Sequence, residues 1–501
     1  MNQLTSETFD SNARASLKDV HLRGALKNLA ATFGERRRTA IASVENWENL
    51  REKARAIKDE TLLHLDQYLE NFAENAERAG AKIHWARDGK EASQIVLNLI
   101  VERNASKVVK SKSMATEEIH LNRALEAAGI NPVETDLGEW IIQLAEETPS
   151  HIVVPAIHKT KKQIADLFVE KVGIEPTDDV DVLTRTARNI LRERFAEAEI
   201  GISGVNFGVA ETGTILILEN EGNARLTTSL PKTHIAVMGI EKIIPKFTDL
   251  DVFLKLLPRS GTGQRLTTYQ SLITGTKRTA NGEGPEEVHI ILMDNGRSRM
   301  LAHPVTRQSL ACIRCGACLN ACPVYGAVGG HAYGAVYPGP IGAVITPQLI
   351  GIGATKQLPY ASSLCGACRE VCPVKIDIPE LLLHLRAEIT DGEANGKKTD
   401  IPIKGKFAER LAFGVYSLAW SNASVYKLGT KTARLMQKFV AHNGKIGEVS
   451  GFLGKLAPPL GNWTTFRDAP VVAPKSFRDI WREELKNDLS TKVTKDTKKM
   501  N

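Results

Sequence analysis

Seven cysteines in two closely spaced runs are the residues of this sequence best suited to carry chemistry. The first run has the spacing C-x2-C-x2-C-x3-C-P, and the second has the spacing C-x2-C-x3-C-P. The cysteines are Cys312, Cys315, Cys318, Cys322, Cys365, Cys368 and Cys372. Two-residue spacers let a short loop place three thiolates around one [4Fe–4S] cube, and the fourth cysteine ligates a second cube. The spacing therefore predicts two [4Fe–4S] clusters.

The same spacing predicts which cysteine serves which cluster, because the last cysteine of each run ligates the other cube. The predicted ligands are Cys312, Cys315, Cys318 and Cys372 for cluster one, and Cys322, Cys365 and Cys368 for cluster two. Ser362 stands where the second run would carry its first cysteine, so cluster two has three thiolates for four irons. Its fourth iron is open to Ser362, to water, to a substrate or to a partner residue, or it is lost and a three-iron cluster remains.

Zinc is the alternative metal for such a set of thiols. Structural zinc sites use four ligands, commonly in two separated pairs. Two nearly repeated runs that each end in Cys-Pro do not match that arrangement. No cysteine lies outside 312–372, and the N-terminus lacks the features of a secretory signal, so a disulfide framework is not expected.

Length and composition describe an ordinary globular chain. The 501 residues suggest about three domains, and 42% hydrophobic with 25% charged residues excludes a wholly disordered or fibrous chain. The net charge is +7, and five Lys and two Asp in residues 486–501 supply +3 of it. Nucleic-acid binding is not expected, because aromatic residues make up only 6% of the chain. The longest weakly polar run, 341–354, is too short for a transmembrane segment. We therefore expect a cytoplasmic protein, for which peripheral association with a membrane complex stays possible.

Alternating patterns predict a parallel α/β domain over residues 45–300. A long amphipathic helix is predicted from Ser43 to about Gly80. Predicted strands at 81–86, 106–111, 131–136 and 151–157 alternate with predicted helices at 90–104, 116–129 and 159–172. From Asn206 onward, strands are predicted at 206–220, 224–229, 233–245, 267–275 and 286–295, with one helix at 247–258.

Three further divisions are predicted around this domain. They are an N-terminal segment at 1–44, a two-cluster domain at 301–390, and a C-terminal helical extension with a basic tail at 391–501. The extension carries Trp420, Trp463 and Trp481, which we expect to pack on the core or on a partner.

Two polar segments of the α/β domain could form a ligand site. Lys110 to Met114, with two glutamates shortly after, lies at a predicted strand end before a helix. Open parallel sheets bind ligands at such ends, and lysines there attract anions; an ordinary polar loop is the alternative. Gly208 to Thr214 precedes an apolar strand, and a hydrogen-bonded turn is its alternative. His331, between the cysteine runs, could tune a cluster or serve the structure alone.

Familiar catalytic motifs are absent from the sequence. It has no G-x-G-x-x-G after a strand, no P-loop, no H-E-x-x-H and no G-x-S-x-G. Without a pyridine-nucleotide signature, another protein is the expected electron donor. Catalytic residues are therefore not assigned from motifs.

Four sequence blocks together resemble the lactate utilisation protein B family. They are GVNFGVAETGT, VHIILMDNGRS, CIRCGACLNACPVYGAVGGHAYGAVYPGPIGAV and LPYASSLCGACREVCPVKIDIP. The resemblance covers nearly the whole chain and is most specific from Cys312 to Pro379. It implies an α/β fold with a LUD-type domain, similar to CoA-transferases and ribose-5-phosphate isomerase, followed by an α-helical, ferredoxin-like domain with two [4Fe–4S] clusters. The family also lacks the eighth cysteine, so Ser362 is not peculiar to this chain.

The resemblance implies an electron-transfer subunit in the oxidation of L-lactate to pyruvate. Its implied partners are a cysteine-rich iron–sulfur subunit and a smaller LUD-domain subunit, and the family's ligands fall on the cysteines assigned above. Two other hypotheses remain open. Substrate could bind directly at the open iron of the three-cysteine cluster, or the LUD domain could be an enzyme of CoA or phosphosugar type, with Glu211 as the residue to test.

Overall fold

A parallel six-stranded sheet lies in the first of two units, residues 1–403 and 404–501, into which the chain divides. Its strands are β1 (Lys82–Ala86), β2 (Val108–Lys110), β3 (Val133–Glu134), β4 (Ile200–Gly204), β7 (Thr233–Gly239) and β10 (Glu287–Met293). Their spatial order is β1-β10-β7-β4-β2-β3. All of β7 is buried, as expected for a parallel strand covered on both faces. The parallel α/β organisation predicted from the sequence is confirmed.

The structure, a computed structural model, describes residues 6–279, 282–391, 393–394, 397–398, 407–447, 464 and 468–485. Within these residues no helix is both long enough and apolar enough to cross a membrane. Trp463 and the basic tail at 486–501 lie outside the described residues.

A smaller mixed sheet packs beside the parallel one. It comprises β5 (Phe207–Val209), β6 (Thr214–Glu219), β8 (Ile243–Ile244) and β9 (Tyr269–Ile273), in the order β8-β5-β6-β9. Neighbouring residues of β6 point to opposite faces, so Ile215 packs toward the parallel sheet. Leu216 packs toward residues 301–391, which carry the cysteines and are called the cysteine segment below. This sheet therefore joins the two halves of the first unit.

The N-terminal residues form four helices, of which the first three pack on the cysteine segment and the fourth packs on the parallel sheet. They are α1 (Phe9–Ser16), α2 (Val20–Ala42), α3 (Trp47–Leu63) and α4 (Leu65–Arg78). The single helix predicted from Ser43 to Gly80 is wrong, since the chain leaves helical geometry at His64. The break follows from packing. Trp47 faces the core that holds the cysteines, whereas Phe72 faces the parallel sheet.

The remaining helices of the α/β part flank its strands. They are α5 (Gly89–Glu102), α6 (Met114–Glu118), α7 (Leu121–Ala127), α8 (Leu137–Leu144), α9 (Lys161–Val172), α10 (Val180–Glu197), α11 (Asn223–Ser229), α12 (Leu250–Gly261) and α13 (Arg297–Ala302). Side-chain caps begin several of them. Asp88 accepts the N–H of Glu91 at the start of α5, and Thr160 forms a capping box with Gln163 at α9.

Two predicted strands of this part are wrong for local reasons. At 151–157 the chain turns, because Nδ1 of His151 accepts the N–H groups of Val153 and Val154. The segment 224–229 lies in α11, because the carboxylate of Glu219 accepts the first N–H groups of that helix. The helix predicted at 116–129 is interrupted, since His120 adopts the left-handed conformation.

Short helices surround the cysteines. They are α14 (Ala317–Ala321), α15 (Pro323–Val328), α16 (Gly339–Ile350), α17 (Ile352–Thr355), α18 (Ala367–Val371) and α19 (Ile378–Asp391), followed by the hairpin β11 (Glu393–Ala394) and β12 (Lys397–Lys398). One hydrophobic core unites this segment with α2, α3 and α12.

The second unit contains two longer helices and a small antiparallel sheet. Its elements are α20 (Phe407–Ser421), α21 (Ala423–Met436), β13 (Ala441–His442), β14 (Lys445–Ile446), β15 (Ala469–Pro470) and α22 (Phe477–Ile480). Large apolar side chains of this unit are exposed, among them Phe413, Trp420 and Phe439.

Candidate iron–sulfur sites and the adjoining cavity

Four cysteines from both runs line one small cavity inside the protein. These group-one cysteines are Cys312, Cys315, Cys318 and Cys372. Isoleucines from the surrounding loops and from α16 close the cavity. Backbone N–H groups approach the sulfurs, with Ile376 N 3.3 Å from the Sγ of Cys372 and Arg314 N 3.4 Å from the Sγ of Cys312. The loop thus brings together the thiols predicted for cluster one.

The electrostatics of group one match a site that holds a multiply charged metal group. Burial raises the pKa of Cys315 to about 12 and that of Cys372 to about 11. Burial and then the neighbouring thiolates Cys312 and Cys315 raise the pKa of Cys318 well above its ordinary value. Four thiolates this close in an apolar cavity repel one another, so bound metal cations would stabilise them. The residues present therefore fit a [4Fe–4S] cluster.

The group-two cysteines are Cys322, Cys365 and Cys368, of which only Cys365 is exposed and the other two are buried. Burial and the neighbouring Cys322 thiolate raise the pKa of Cys368 to about 12. Cys365 is exposed, and the Ala367 N–H with the Ser363 hydroxyl lowers its pKa. Tyr325 N lies 3.4 Å from the Sγ of Cys322. Three thiols, one of them at the protein surface, fit a cluster whose fourth iron takes another ligand.

Ser362 has a local partner in this structure. Its hydroxyl oxygen accepts the N–H of Leu364 at 3.1 Å, and its carbonyl accepts from Nη2 of Arg386 at 3.2 Å. Leu364 adopts a left-handed backbone with a φ of 54°, which the turn around Ser362 requires. These contacts give the serine a structural role at the head of the second run.

The N-terminal helices hold the second run in place. Arg51 of α3 is buried and donates to the Cys372 carbonyl from Nε at 3.0 Å and from Nη2 at 2.8 Å. The same Nη2 donates to the Glu370 carbonyl at 3.0 Å. On α2, Nη2 of Arg37 donates to the Val371 carbonyl at 3.3 Å. Nothing in the local pattern of these two arginines links them to the cysteines, so their role could not be predicted from the sequence.

A larger cavity of about 250 Å³ adjoins group one at the carboxyl edge of the parallel sheet. Lys112 follows β2 there, Gly204 ends β4 and Gly239 ends β7. Arg314 and Cys315 enter from the loop of residues 312–316, called the cysteine loop below. Parallel sheets bind ligands at this edge. A substituent at Gly239 would lie 2.2 Å from the Glu241 carboxylate, so only glycine leaves room for that side chain.

A buried ion-pair network forms one wall of this cavity. Arg297 donates from Nε to Glu241 at 2.5 Å and from both Nη atoms to Glu118, at 2.8 and 2.9 Å. The Tyr337 hydroxyl donates to Glu118 at 2.6 Å, and the Arg314 guanidinium lies 4.5 Å from the Tyr337 ring centre. The network therefore anchors the cysteine loop to the α/β part.

Two charged side chains of this wall have strongly shifted pKa values. Burial alone would raise the pKa of Glu241, but Arg297, Lys242 and Arg314 bring it down to about 2. Burial and the nearby Arg314 lower the pKa of Lys242 to about 8, against the attraction of Glu241. Glu241 is therefore an obligate hydrogen-bond acceptor near neutral pH.

The structure separates the site-like segments predicted from the sequence. Lys112 and Met114 of the first segment line the larger cavity, whereas Lys110 is buried in ion pairs with Glu117 and Glu134. Glu211 of the second segment accepts the Phe247 N–H at 2.8 Å.

That second segment turns tightly against α4. At Gly213, φ is +66° and a Cβ would lie 2.2 Å from Ala76 N, so the turn has a packing role. His331 forms a hydrogen bond to the Thr148 carbonyl at 2.7 Å, and its ring meets that of His158 edge to face with the ring centres 4.4 Å apart. The packing of Gly213 and the contacts of His331 give both residues a structural function.

Glu241, Lys242, Arg297 and Arg314 were not singled out from the sequence. The available signals were the charged pair inside the apolar stretch IEKIIP, and an arginine between two cysteines of the first run. Arg314 lies in the sequence between the group-one cysteines Cys312 and Cys315. Its φ is 58°, a left-handed value that is unusual for a residue other than glycine.

Taken together, this fold and these thiols define an iron–sulfur protein built on a LUD domain. Family comparison matches residues 69–293 to the LUD domain, 308–376 to a 4Fe-4S dicluster domain, and 384–486 to the C-terminal region of lactate utilisation protein B. The dicluster match confirms the prediction of two [4Fe–4S] clusters.

Curated relatives extend the match over nearly the whole chain. Lactate utilization protein B of Bacillus pumilus is 43% identical over 487 residues, covering 97% of this chain and 99% of the relative. The protein of the same name from Bacillus cytotoxicus is 43% identical over 484 residues, covering 97% and 98%. The chain belongs to the lactate utilization protein B family.

One solved structure, a DUF162 family protein from Deinococcus radiodurans, covers 46% of this chain and 98% of its own. It is 11% identical with a TM-score of 0.26, a likeness too low to argue from.

Proposed function

We propose that this protein takes part in lactate utilisation as an electron-transfer subunit for the oxidation of L-lactate to pyruvate. The observation that carries the proposal is the arrangement of seven cysteines as a group of four that lines one small cavity and a group of three that reaches the surface at Cys365. A [4Fe–4S] cluster supplies one-electron storage when bound. The names of the family relatives support lactate as the substrate of the pathway.

The ligand assignment is part of the same proposal. The group-one cysteines would hold one cluster, and the group-two cysteines would hold the other with a fourth ligand from elsewhere. Group one adjoins the larger cavity through Cys315, whereas group two has its exposed member at Cys365. This geometry supports transfer between the cavity side, where a substrate or donor would sit, and the surface at Cys365, where an acceptor protein would dock.

The partners and the finer fold assignment are also proposed. A cysteine-rich iron–sulfur subunit and a smaller LUD-domain subunit would complete the complex, in the cytoplasm and with peripheral membrane association. Exposed apolar side chains such as Phe413 and Trp420 offer a surface of the kind that partner subunits cover. We also propose that the α/β part is similar to CoA-transferases and ribose-5-phosphate isomerase and that the cysteine segment is ferredoxin-like.

Iron and sulfide analysis with EPR tests the proposal. Anaerobically purified protein should contain about eight irons per chain, or about seven with a three-iron signal after oxidation. Cys315→Ala should remove the signal of one cluster and Cys368→Ala the signal of the other. Both variants should lose lactate-dependent growth when they replace the unaltered protein in cells.

A control keeps the result interpretable. Ser309→Ala changes a buried residue near the first run that is not a cysteine, and it should keep both signals. Fewer than about four irons with zinc present would overturn the electron-transfer role. Normal growth on lactate with Cys315→Ala would do so as well.

A further inference from the structure

The hydroxyl of Tyr333 has no hydrogen-bond partner, although the whole side chain is buried. Tyr333 ends a short 3-10 turn, His331–Tyr333, between the two cysteine runs, and it is 0% exposed. Its Oη atom is buried without a partner among the residues that the structure describes. An unsatisfied buried polar atom costs about 1–3 kcal/mol, so folded proteins usually supply a partner for it, from the chain, from water or from a bound group.

The ring of Tyr333 is fixed inside the core that holds the cysteines. It packs edge to face on Phe9 of α1, with the ring centres 5.2 Å apart, and its centre lies 6.3 Å from that of Tyr325. Tyr333, Cys318 and Cys322 belong to the same hydrophobic core. Because packing holds the ring in this core, the hydroxyl does not reach the surface to find a partner there.

The charged groups that act on this hydroxyl include cysteine thiolates from both groups. Burial, and then Cys322, Tyr325 and Cys318, raise the pKa of Tyr333 well above its ordinary value. Among the thiolates Cys322 has the larger effect, and it belongs to group two. A tyrosine with an ordinary pKa of about 10 already keeps its proton at neutral pH, so the Tyr333 hydroxyl is available as a hydrogen-bond donor.

We infer that the Tyr333 hydroxyl donates a hydrogen bond to a sulfur of the iron–sulfur cluster held by the group-two cysteines, and that it raises the reduction potential of this cluster. The inference rests on the ligand assignment in the proposed function. A hydrogen bond to cluster sulfur stabilises the reduced form more than the oxidised form, because the reduced form carries one more negative charge. Cys365 brings one side of group two to the surface, so Tyr333 supplies a donor on the buried side, where Cys322 lies.

Tyr325 offers a matched comparison within the same core. It is also buried, and its backbone N atom lies 3.4 Å from the Sγ of Cys322. Its hydroxyl, however, donates to the Ser150 carbonyl of the α/β part at 2.8 Å. Removing the Tyr325 hydroxyl should therefore affect stability but not the reduction potential of either cluster.

Anaerobic redox titration of the reconstituted full-length protein, followed by EPR, tests the inference. Tyr333→Phe removes only the hydroxyl group. It should lower the equilibrium constant for reducing the group-two cluster about tenfold, equivalent to about 59 mV for one electron. Tyr325→Phe should leave both potentials unchanged. Cys368→Ala identifies the group-two signal, because this variant should lose that signal.

A second measurement detects the hydrogen-bonding proton itself. Protein unfolded and reconstituted in deuterium oxide carries deuterium at its exchangeable positions, and pulsed EPR of the reduced state detects those that couple to a cluster. Tyr333→Phe should lose one exchangeable deuteron coupled to the group-two cluster, whereas Tyr325→Phe should lose none. The iron content and thermal midpoint of each variant check that it is folded.

An unchanged group-two potential in Tyr333→Phe, with both EPR signals intact, would overturn the inference and leave the electron-transfer role standing. An equal shift in Tyr325→Phe would overturn it as well. Loss of about one iron per chain from Tyr333→Phe would also contradict it, since the hydroxyl oxygen would then be a ligand of the fourth iron. Zinc in place of iron in the unaltered protein would instead remove the proposed function itself, so the two proposals fail in distinguishable ways.

Discussion

Replacing Arg51 tests whether the N-terminal helices hold the second cysteine run. The Arg51 guanidinium donates three hydrogen bonds to the carbonyls of Cys372 and Glu370, and its side chain is 9% exposed. Arg51→Met keeps much of the apolar stem but leaves both carbonyls without this donor. We therefore expect both lower stability and a looser group-one site.

The size of the effect follows from these contacts. A hydrogen bond to a charged group contributes about 1.5–3 kcal/mol, and the carbonyls of Cys372 and Glu370 both lose this donor. The Glu48 carboxylate also loses its contact with Nη1, but it is largely exposed, so that loss adds little. The buried guanidinium no longer has to be desolvated, which offsets part of the loss. We expect the free energy of unfolding to fall by about 2–4 kcal/mol, and chelators to remove iron from group one several-fold faster.

The assay combines anaerobic urea unfolding with the rate of iron release to a chelator, followed by EPR. Arg38→Met is the matched control, because Arg38 is exposed and pairs only with Glu35 among the contacts that the structure describes. If Arg51→Met and Arg38→Met had the same unfolding midpoint and the same iron-release rate, the role assigned to Arg51 would be refuted.

Three further changes probe other parts of the molecule. Burial lowers the pKa of His234 to about 3, so below pH 6.5 only the unfolded state gains a proton and stability falls. His234→Gln should reduce the loss of unfolding free energy between pH 7 and 5.5 by about 1 kcal/mol, and an unchanged loss in urea titrations would contradict this. Gly213→Ala should destabilise the protein by at least about 2 kcal/mol in the same assay, whereas Glu211→Ala should be nearly neutral. Ser362→Ala should leave the iron content unchanged, and loss of about one iron per chain would instead make Ser362 a ligand.

The sequence predicted those features that depend on residues close to one another along the chain. The cysteine spacing indicated two clusters because a short loop wraps each one, and apolar runs such as that of β7 indicated buried parallel strands. The same reasoning failed at 224–229, where a carboxylate from the preceding strand starts a helix that the residues themselves do not favour. It failed at 151–157 because one histidine captures the backbone N–H groups that a strand would need.

The larger cavity could be predicted only in part. Lys112 was recognised because it follows a strand in a parallel sheet, a position with a known geometric meaning. Glu241 and Arg314 are 73 positions apart in the sequence, and only the packing of the cysteine loop on the α/β part brings them together. Arg51 and Cys372 are farther apart still, and no pattern along the chain connects them.

The shared hydrophobic core constrains how this protein could be divided or grafted. Phe207 and Phe253 of the α/β part lie in the same core as Leu26 of α2 and the buried Cys318. Cutting the chain near residue 300 would expose apolar surface on both fragments. The cysteine segment therefore cannot be moved to another protein as an independent domain. A lineage that exchanged this segment would have to exchange the helices of residues 9–63 with it, and the cysteine segment and the α/β part should therefore have been inherited together.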